Sequence, residues 1–130
     1  MGMDASKYTI MIVDDIPVNT ILLEKILEKE GYRLYSYNNS LQAMEAITEI
    51  APDILLLDIM MPGLDGMAFL KRLRSNNSYD NVRIIMVTAV SEQEEITKAL
   101  ALGANGYITK PISPKKLIGC INEQLSQIVR

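Results

Sequence analysis

The apolar positions of this chain change their period along its length. Ile54 to Leu57 run without a polar break, and Asp58, Pro62, Gly63 and Gly66 follow. A short continuous apolar run bounded by turn residues predicts a strand buried on both faces. Tyr8 to Val13 reads as a first strand, ended by Asp14-Asp15. Behind it Pro17 suits a first helical turn, and Val18, Ile21, Leu22 and Ile26 recur at helical spacing, predicting an inward face on a helix that stops at Gly31. Tyr32 to Tyr37 alternates like a strand near a sheet edge. Asn39-Ser40 can cap a second helix with Ala43, Met44, Ile47 and Ile50 inside.

After the central strand the alternation continues. Asp65 can cap a third helix that buries Phe69, Leu70 and Leu73, and Ser75 to Asn81 is a polar loop. Val82 to Thr88 reads as a strand. Glu92, Glu94 and Glu95 favour the start of a fourth helix, with Ile96, Ala99 and Leu100 inward and Gly103 closing it. Asn105 to Thr109 is a short fifth strand, and Leu117, Ile121, Leu125 and Ile128 share a face of a last helix. Strand and helix alternating five times predict an α/β fold, a doubly wound (βα)5 unit with a five-stranded parallel sheet.

Composition narrows the classes. The 130 residues suffice for one domain with its own core. Residues 1–7 read as an N-terminal extension, partly of cloning origin, and residues 8–130 as the domain. No apolar run approaches the roughly 18 residues of a membrane span, and Met1 to Lys7 lacks the apolar stretch of a signal peptide. Cys120 is the single cysteine, expected to be a packing residue, and a cytoplasmic location is expected. The net charge is −3, with no basic stripe carrying interleaved aromatics, so nucleic-acid and membrane surfaces are not expected. Histidine is absent from the chain, which excludes a histidine base or ligand within it.

The strand ends carry the chemistry. In a parallel sheet Asp14, Asp15, Asp58, Thr88 and Lys110 would all reach one edge. Clustered carboxylates repel one another, so they either raise a carboxyl pKa or bind a cation, and oxygen ligands favour a hard ion such as Mg²⁺. Asp58 beside such an ion is placed as a nucleophile for phosphoryl transfer. Lys110 offers fixed positive charge to developing oxyanions, and the Thr88 hydroxyl can donate to a phosphoryl oxygen once it has arrived.

Four segments carry a resemblance: Val13-Asp14-Asp15, Leu57 to Gly66, Val87-Thr88-Ala89 and Tyr107-Ile108-Thr109-Lys110-Pro111. In this order and spacing the chain resembles the receiver domain of two-component response regulators, from about Lys7 to Arg130. The resemblance implies a flavodoxin-like fold with strand order 2-1-3-4-5. It implies Asp58 as phosphoacceptor, assisted by Thr88 and Lys110. Asp15 would ligate Mg²⁺ directly, Asp14 largely through water, and the Met60 carbonyl would complete the protein ligands together with Asp58. Thr88 and Tyr107 would form a switch pair, and Lys110-Pro111 a cis peptide. The partners implied are a histidine kinase or histidine phosphotransfer protein and a downstream effector bound through the fourth helix, fifth strand and fifth helix, the domain being a monomer or a phosphorylation-dependent dimer. It would be no enzyme in the usual sense. A haloacid-dehalogenase-type phosphotransferase is disfavoured, because its acid/base aspartate would fall at Met60. A flavin-type phosphate loop is disfavoured by the two aspartates after the first strand.

Overall fold

The computed structural model describes residues 4–128. Met1 to Met3, in the expected extension, and Val129-Arg130, at the end of the expected domain, lie outside the described residues. The elements are β1 (Thr9–Val13), α1 (Pro17–Glu28), β2 (Arg33–Tyr37), α2 (Ser40–Ile50), β3 (Ile54–Leu57), α3 (Gly66–Arg74), β4 (Arg83–Thr88), α4 (Gln93–Ala101), β5 (Gly106–Thr109) and α5 (Pro114–Leu125). Single 3₁₀ turns at Ala5–Lys7 and Asn77–Tyr79 complete the order; the second lies inside the expected polar loop. All pairings are parallel and the strand order is 2-1-3-4-5, with β2 at an edge as expected.

Side chains alternate across this sheet, and each face is covered by different helices. Met11, Val13, Leu55, Leu57, Ile84 and Met86 pack with residues of α2, α3 and α4. Ile10, Ile12, Ile54, Leu56, Ile85 and Val87 pack with α1 and α5. That division explains why β1 and β3 read as unbroken apolar runs, apart from Thr9. Asn39 caps α2 by accepting from the Leu41 and Gln42 amides, and Asp65 caps α3 by accepting from Ala68. Among the described residues no helix is long and apolar enough to cross a membrane. Cys120 is half-buried against the α1/α5 core, and burial pushes its thiol pKa up.

Two inward faces differ from expectation. On α1 the buried residues are Thr20, Leu23 and Leu27, whereas Val18, Ile21 and Leu22 are 66%, 50% and 47% exposed and Ile26 is half-buried. The helix carries apolar residues on two opposite faces, so periodicity alone could not choose between them. Leu23 and Leu27 lie one turn apart beside Thr20, whose hydroxyl is satisfied by donating to the Pro17 carbonyl at 2.9 Å. That face therefore buries without an orphaned polar atom. On α4, Ala99 is buried and Ile96 half-buried, but Leu100 is exposed. The small Ala99 is the point of close approach, which turns its neighbour outward.

At the N-terminal edge of the sheet one side chain joins several segments. Arg74, the last residue of α3, donates from Nε to the Gly103 carbonyl (2.9 Å), from Nη1 to Tyr79 (2.8 Å), and from Nη2 to Val82 (2.7 Å) and Asn105 Oδ1 (2.9 Å). Gly103 has φ +111°, and a Cβ there would meet Arg74 Cγ at 2.7 Å, so both its conformation and its neighbour require glycine. Asn105 Oδ1 also accepts from the Ile84 amide at 2.7 Å, fixing the entry to β5 against β4.

Candidate functional site

The opposite, C-terminal edge gathers the expected residues, and the backbone ladder does the gathering. The Asp14 amide donates to the Tyr37 carbonyl at 3.1 Å, Asp58 to Val13 at 3.0 Å, and Lys110 to Thr88 at 2.8 Å. Each residue is thus still held by a strand while its side chain stands just beyond the last ladder rung. Asp14 and Asp58 are buried, Asp15 is half-buried, and one oxygen from each of the three lies within 4.8 Å of the others. Lys110 Nζ donates to Asp14 Oδ2 at 2.7 Å and lies 3.4 Å from Asp58 Oδ2. The Lys110-Pro111 peptide is cis.

The remaining oxygens are unequally provided for. Asp14 Oδ1 accepts from the Ile16 amide at 3.0 Å and from Asn19 Nδ2 at 3.3 Å, and Asp58 Oδ1 accepts from the Ile59 amide at 2.8 Å. Asp15 Oδ1 is buried with no partner. Three clustered carboxylates meet one ammonium, and a buried acceptor is left without a donor. An oxygen-only donor set with an orphaned acceptor fits a hard divalent cation, so this cluster could hold a metal ion. Burial raises the Asp58 pKa above the ordinary 3.8, and nearby Asp14 adds to the rise; Thr88, Lys110 and the Ile59 amide pull it down.

That raised pKa has a consequence for stability. The folded state holds the Asp58 proton more tightly than the unfolded chain does, so the ionised carboxylate costs stability at neutral pH. The cost disappears as pH falls through the raised value toward 3.8. Asp58→Asn should therefore stabilise the metal-free protein at pH 7. The gain should shrink on acidification, and urea unfolding in a chelator at two pH values reads it. A mutant less stable than wild type at pH 7 would show that the carboxylate is net stabilising instead.

Thr88 is fully buried, and its hydroxyl accepts from the Val90 amide at 3.3 Å. Tyr107 is half-buried, and its hydroxyl donates to the Val90 carbonyl at 2.6 Å. The main chain of Val90 therefore ties the two expected switch residues together. Burial, followed by Glu95, Glu92 and Asp58, raises the Tyr107 pKa. Met60, two residues beyond Asp58, has an exposed side chain, and the Gly66 amide donates to the Ile59 carbonyl at 2.9 Å, closing the loop after Asp58. A Cβ on Gly66 would lie 2.7 Å from Ile59 Cα and 2.8 Å from the Asp58 carbonyl carbon, so only glycine lets α3 begin against that loop.

Asn19 and Asn38 were not singled out in the sequence, yet both touch Asp14. Asn38 Nδ2 donates to the Asp14 carbonyl at 2.8 Å. The strand-end rule, applied to β2 as it was to the other strands, would have marked Asn38; Asn19, inside a helix, gave no comparable signal.

A model of the response regulator receiver domain matches residues 10–122. Sporulation initiation phosphotransferase F of Bacillus subtilis is 36% identical over 116 residues, covering 89% of this chain and 92% of that protein. The phosphate regulon transcriptional regulatory protein PhoB of Pseudomonas aeruginosa is 38% identical over 110 residues, covering 85% of this chain and 48% of that protein. The chain thus spans about half the length of such larger regulators and nearly all of the sporulation phosphotransferase. The BeF3-activated N-terminal receiver domain of Klebsiella pneumoniae RstA superposes with a TM-score of 0.85 at 30% identity, covering 92% of this chain and 99% of that one. With the match extending over nearly every described element, the chain belongs to the response regulator receiver domain family.

Proposed function

We propose that this domain is a phosphorylation-activated signalling switch that accepts a phosphoryl group on Asp58 in a Mg²⁺-dependent reaction. The observation that carries the reading is the cluster of Asp14, Asp15 and Asp58 within 4.8 Å, with Lys110 Nζ set between Asp14 and Asp58. Asp15, Asp58 and the Met60 carbonyl would hold the cation, with Asp14 beside them. When bound, Mg²⁺ neutralises charge on phosphoryl oxygens. A carboxylate oxygen of Asp58 attacks phosphorus, the phosphorus–nitrogen bond of a donor phosphohistidine breaks, and the imidazole leaves with the bonding pair. Lys110 stabilises the charge developing on the transferred group. The acyl phosphate offers Thr88 a new acceptor, drawing its hydroxyl away from the Val90 amide. Because Tyr107 is bonded to the same Val90 main chain, the α4–β5–α5 face carries the change to an effector.

The donor is read from the family as a histidine kinase or phosphotransfer protein, and with no histidine in this chain the phosphohistidine belongs to that partner. Ile16, Val18, Ile21, Leu22 and Met60 leave apolar surface exposed where α1 begins and just beyond Asp58, a surface suited to a protein donor. Docking there would bring the phosphohistidine to the acidic edge.

Intact mass and Phos-tag mobility after incubation with acetyl phosphate and Mg²⁺ test the reading. Wild type should gain one phosphoryl group only with Mg²⁺ present, and Asp58→Asn should gain none. Phosphorylation of Asp58→Asn to the wild-type extent would move the acceptor elsewhere. Wild type that takes up neither acetyl phosphate nor beryllofluoride would end the switch reading.

A further inference from the structure

We infer that Asn38 is a positioning residue for divalent-cation binding, acting on Asp15 through the Asp14 carbonyl; the inference rests on the metal reading above. The β2–α2 connection grips Asp14 twice. Its amide donates to the Tyr37 carbonyl at 3.1 Å, and the Asn38 side chain donates back to the Asp14 carbonyl at 2.8 Å. That carbonyl belongs to the peptide plane leading into Asp15. Fixing the plane fixes the direction in which Asp15 leaves the strand end, and with it the carboxylate whose Oδ1 is buried and unpartnered.

A second bond braces the first. Asn38 Nδ2 lies 3.2 Å from Thr20 Oγ1, and that hydroxyl donates to the Pro17 carbonyl at 2.9 Å. A primary amide nitrogen carries two hydrogens, one for each acceptor, so both contacts coexist. Thr20 is buried on the sheet-facing side of α1, so the brace has a rigid base. The Asp14-Asp15 turn is thereby pinned between the β2–α2 connection and α1. Asn19 differs, because its amide touches the Asp14 carboxylate itself. Asn38 meets no carboxylate and is exposed, so it neither ligates a cation nor fills the core. Its bond instead decides where a ligand sits. Partners that orient metal ligands are typically worth about 10- to 100-fold in metal affinity.

The test is Mg²⁺ titration by calorimetry of wild type, Asn38→Ala and Thr20→Val, with the melting temperature of each in chelator. Asn38→Ala should bind Mg²⁺ about tenfold more weakly, and its rate of phosphorylation by acetyl phosphate should return to the wild-type value at saturating Mg²⁺. Thr20→Val removes the brace but keeps the Asn38–Asp14 bond, so its affinity should change far less even where its melting temperature falls as much. Unchanged affinity in Asn38→Ala would overturn the inference. So would an equal loss in Thr20→Val, since affinity would then follow general loosening, or a rate deficit in Asn38→Ala that persists at saturating Mg²⁺. Wild type that binds no Mg²⁺ would instead remove the metal reading on which the inference stands.

Discussion

Gly66→Ala should abolish useful phosphorylation and destabilise the fold together. The new methyl group would fall inside contact distance of Asp58 and Ile59 main-chain atoms, the nearest of which are not free to rotate away. Overpacking against backbone costs about 1–3 kcal/mol or more, and relief requires the β3–α3 loop to move. That loop carries Asp58, the proposed phosphoacceptor, and the Met60 carbonyl. A displacement near 1 Å at a reacting group costs about 100-fold in rate. Urea unfolding and acetyl phosphate kinetics, measured on the same preparation at low temperature, separate the two losses. Wild-type kinetics in a folded Gly66→Ala protein would refute the tight seat described for this loop.

Arg74→Ala should have the opposite profile, with a large loss of stability and little change in chemistry per folded molecule. One guanidinium serves three carbonyls and the Asn105 side chain, drawn from the Asn77–Tyr79 turn, the end of α4 and the starts of β4 and β5. Removing it strips a donor from all four, and Asn105 Oδ1 and the Tyr79 carbonyl keep only their bonds from the Ile84 and Val82 amides. A loss of about 3–4 kcal/mol is expected in urea unfolding. Arg74→Lys should recover less than half of it, because a single ammonium cannot fork to four acceptors in different directions. The network lies at the sheet edge away from Asp58, so phosphorylation of the folded fraction should match wild type. A loss below about 1 kcal/mol would mean that water replaces the guanidinium at these carbonyls.

The architecture was legible because β1, β3 and β4 are buried on both faces and each helix has a turn signal at its start. Asn39 and Asp65 cap where the residue types said they would, and the runs Ile54 to Leu57 and Arg83 to Thr88 became the central strands. The site was legible for the same reason: parallel strands deliver their last residues to one edge, so Asp14, Asp15, Asp58, Thr88 and Lys110 had to converge. Orientation about a helix axis was less legible. Val18, Ile21 and Leu22 form as good an apolar stripe as the one that Thr20, Leu23 and Leu27 bury, and the choice depends on a threonine hydroxyl bonding within its own helix. Leu100 lost its inward place to the smaller Ala99, a packing choice that hydrophobicity does not encode. The contacts of Asn38 and Arg74 were hidden because a side chain bonding to a distant carbonyl leaves no periodic trace.

The pairing of Lys110 with Asp14 spans 96 positions of the chain. During synthesis Asp14, Asp15 and Asp58 all emerge from the ribosome before Lys110, the ammonium that compensates them. A nascent β1–α1–β2–α2–β3 segment must therefore carry three mutually repelling carboxylates without their lysine, and β5 completes both the sheet and the charge balance. Arrested chains that end before Thr109 should be digested quickly by protease, whereas chains extended past Leu125 should resist. Resistance appearing before β5 has emerged would show that the β1–β3 segment closes its acidic edge unaided. The last strand thus acts as a checkpoint in time, closing the acidic edge only once Lys110 has joined Asp14 and Asp58.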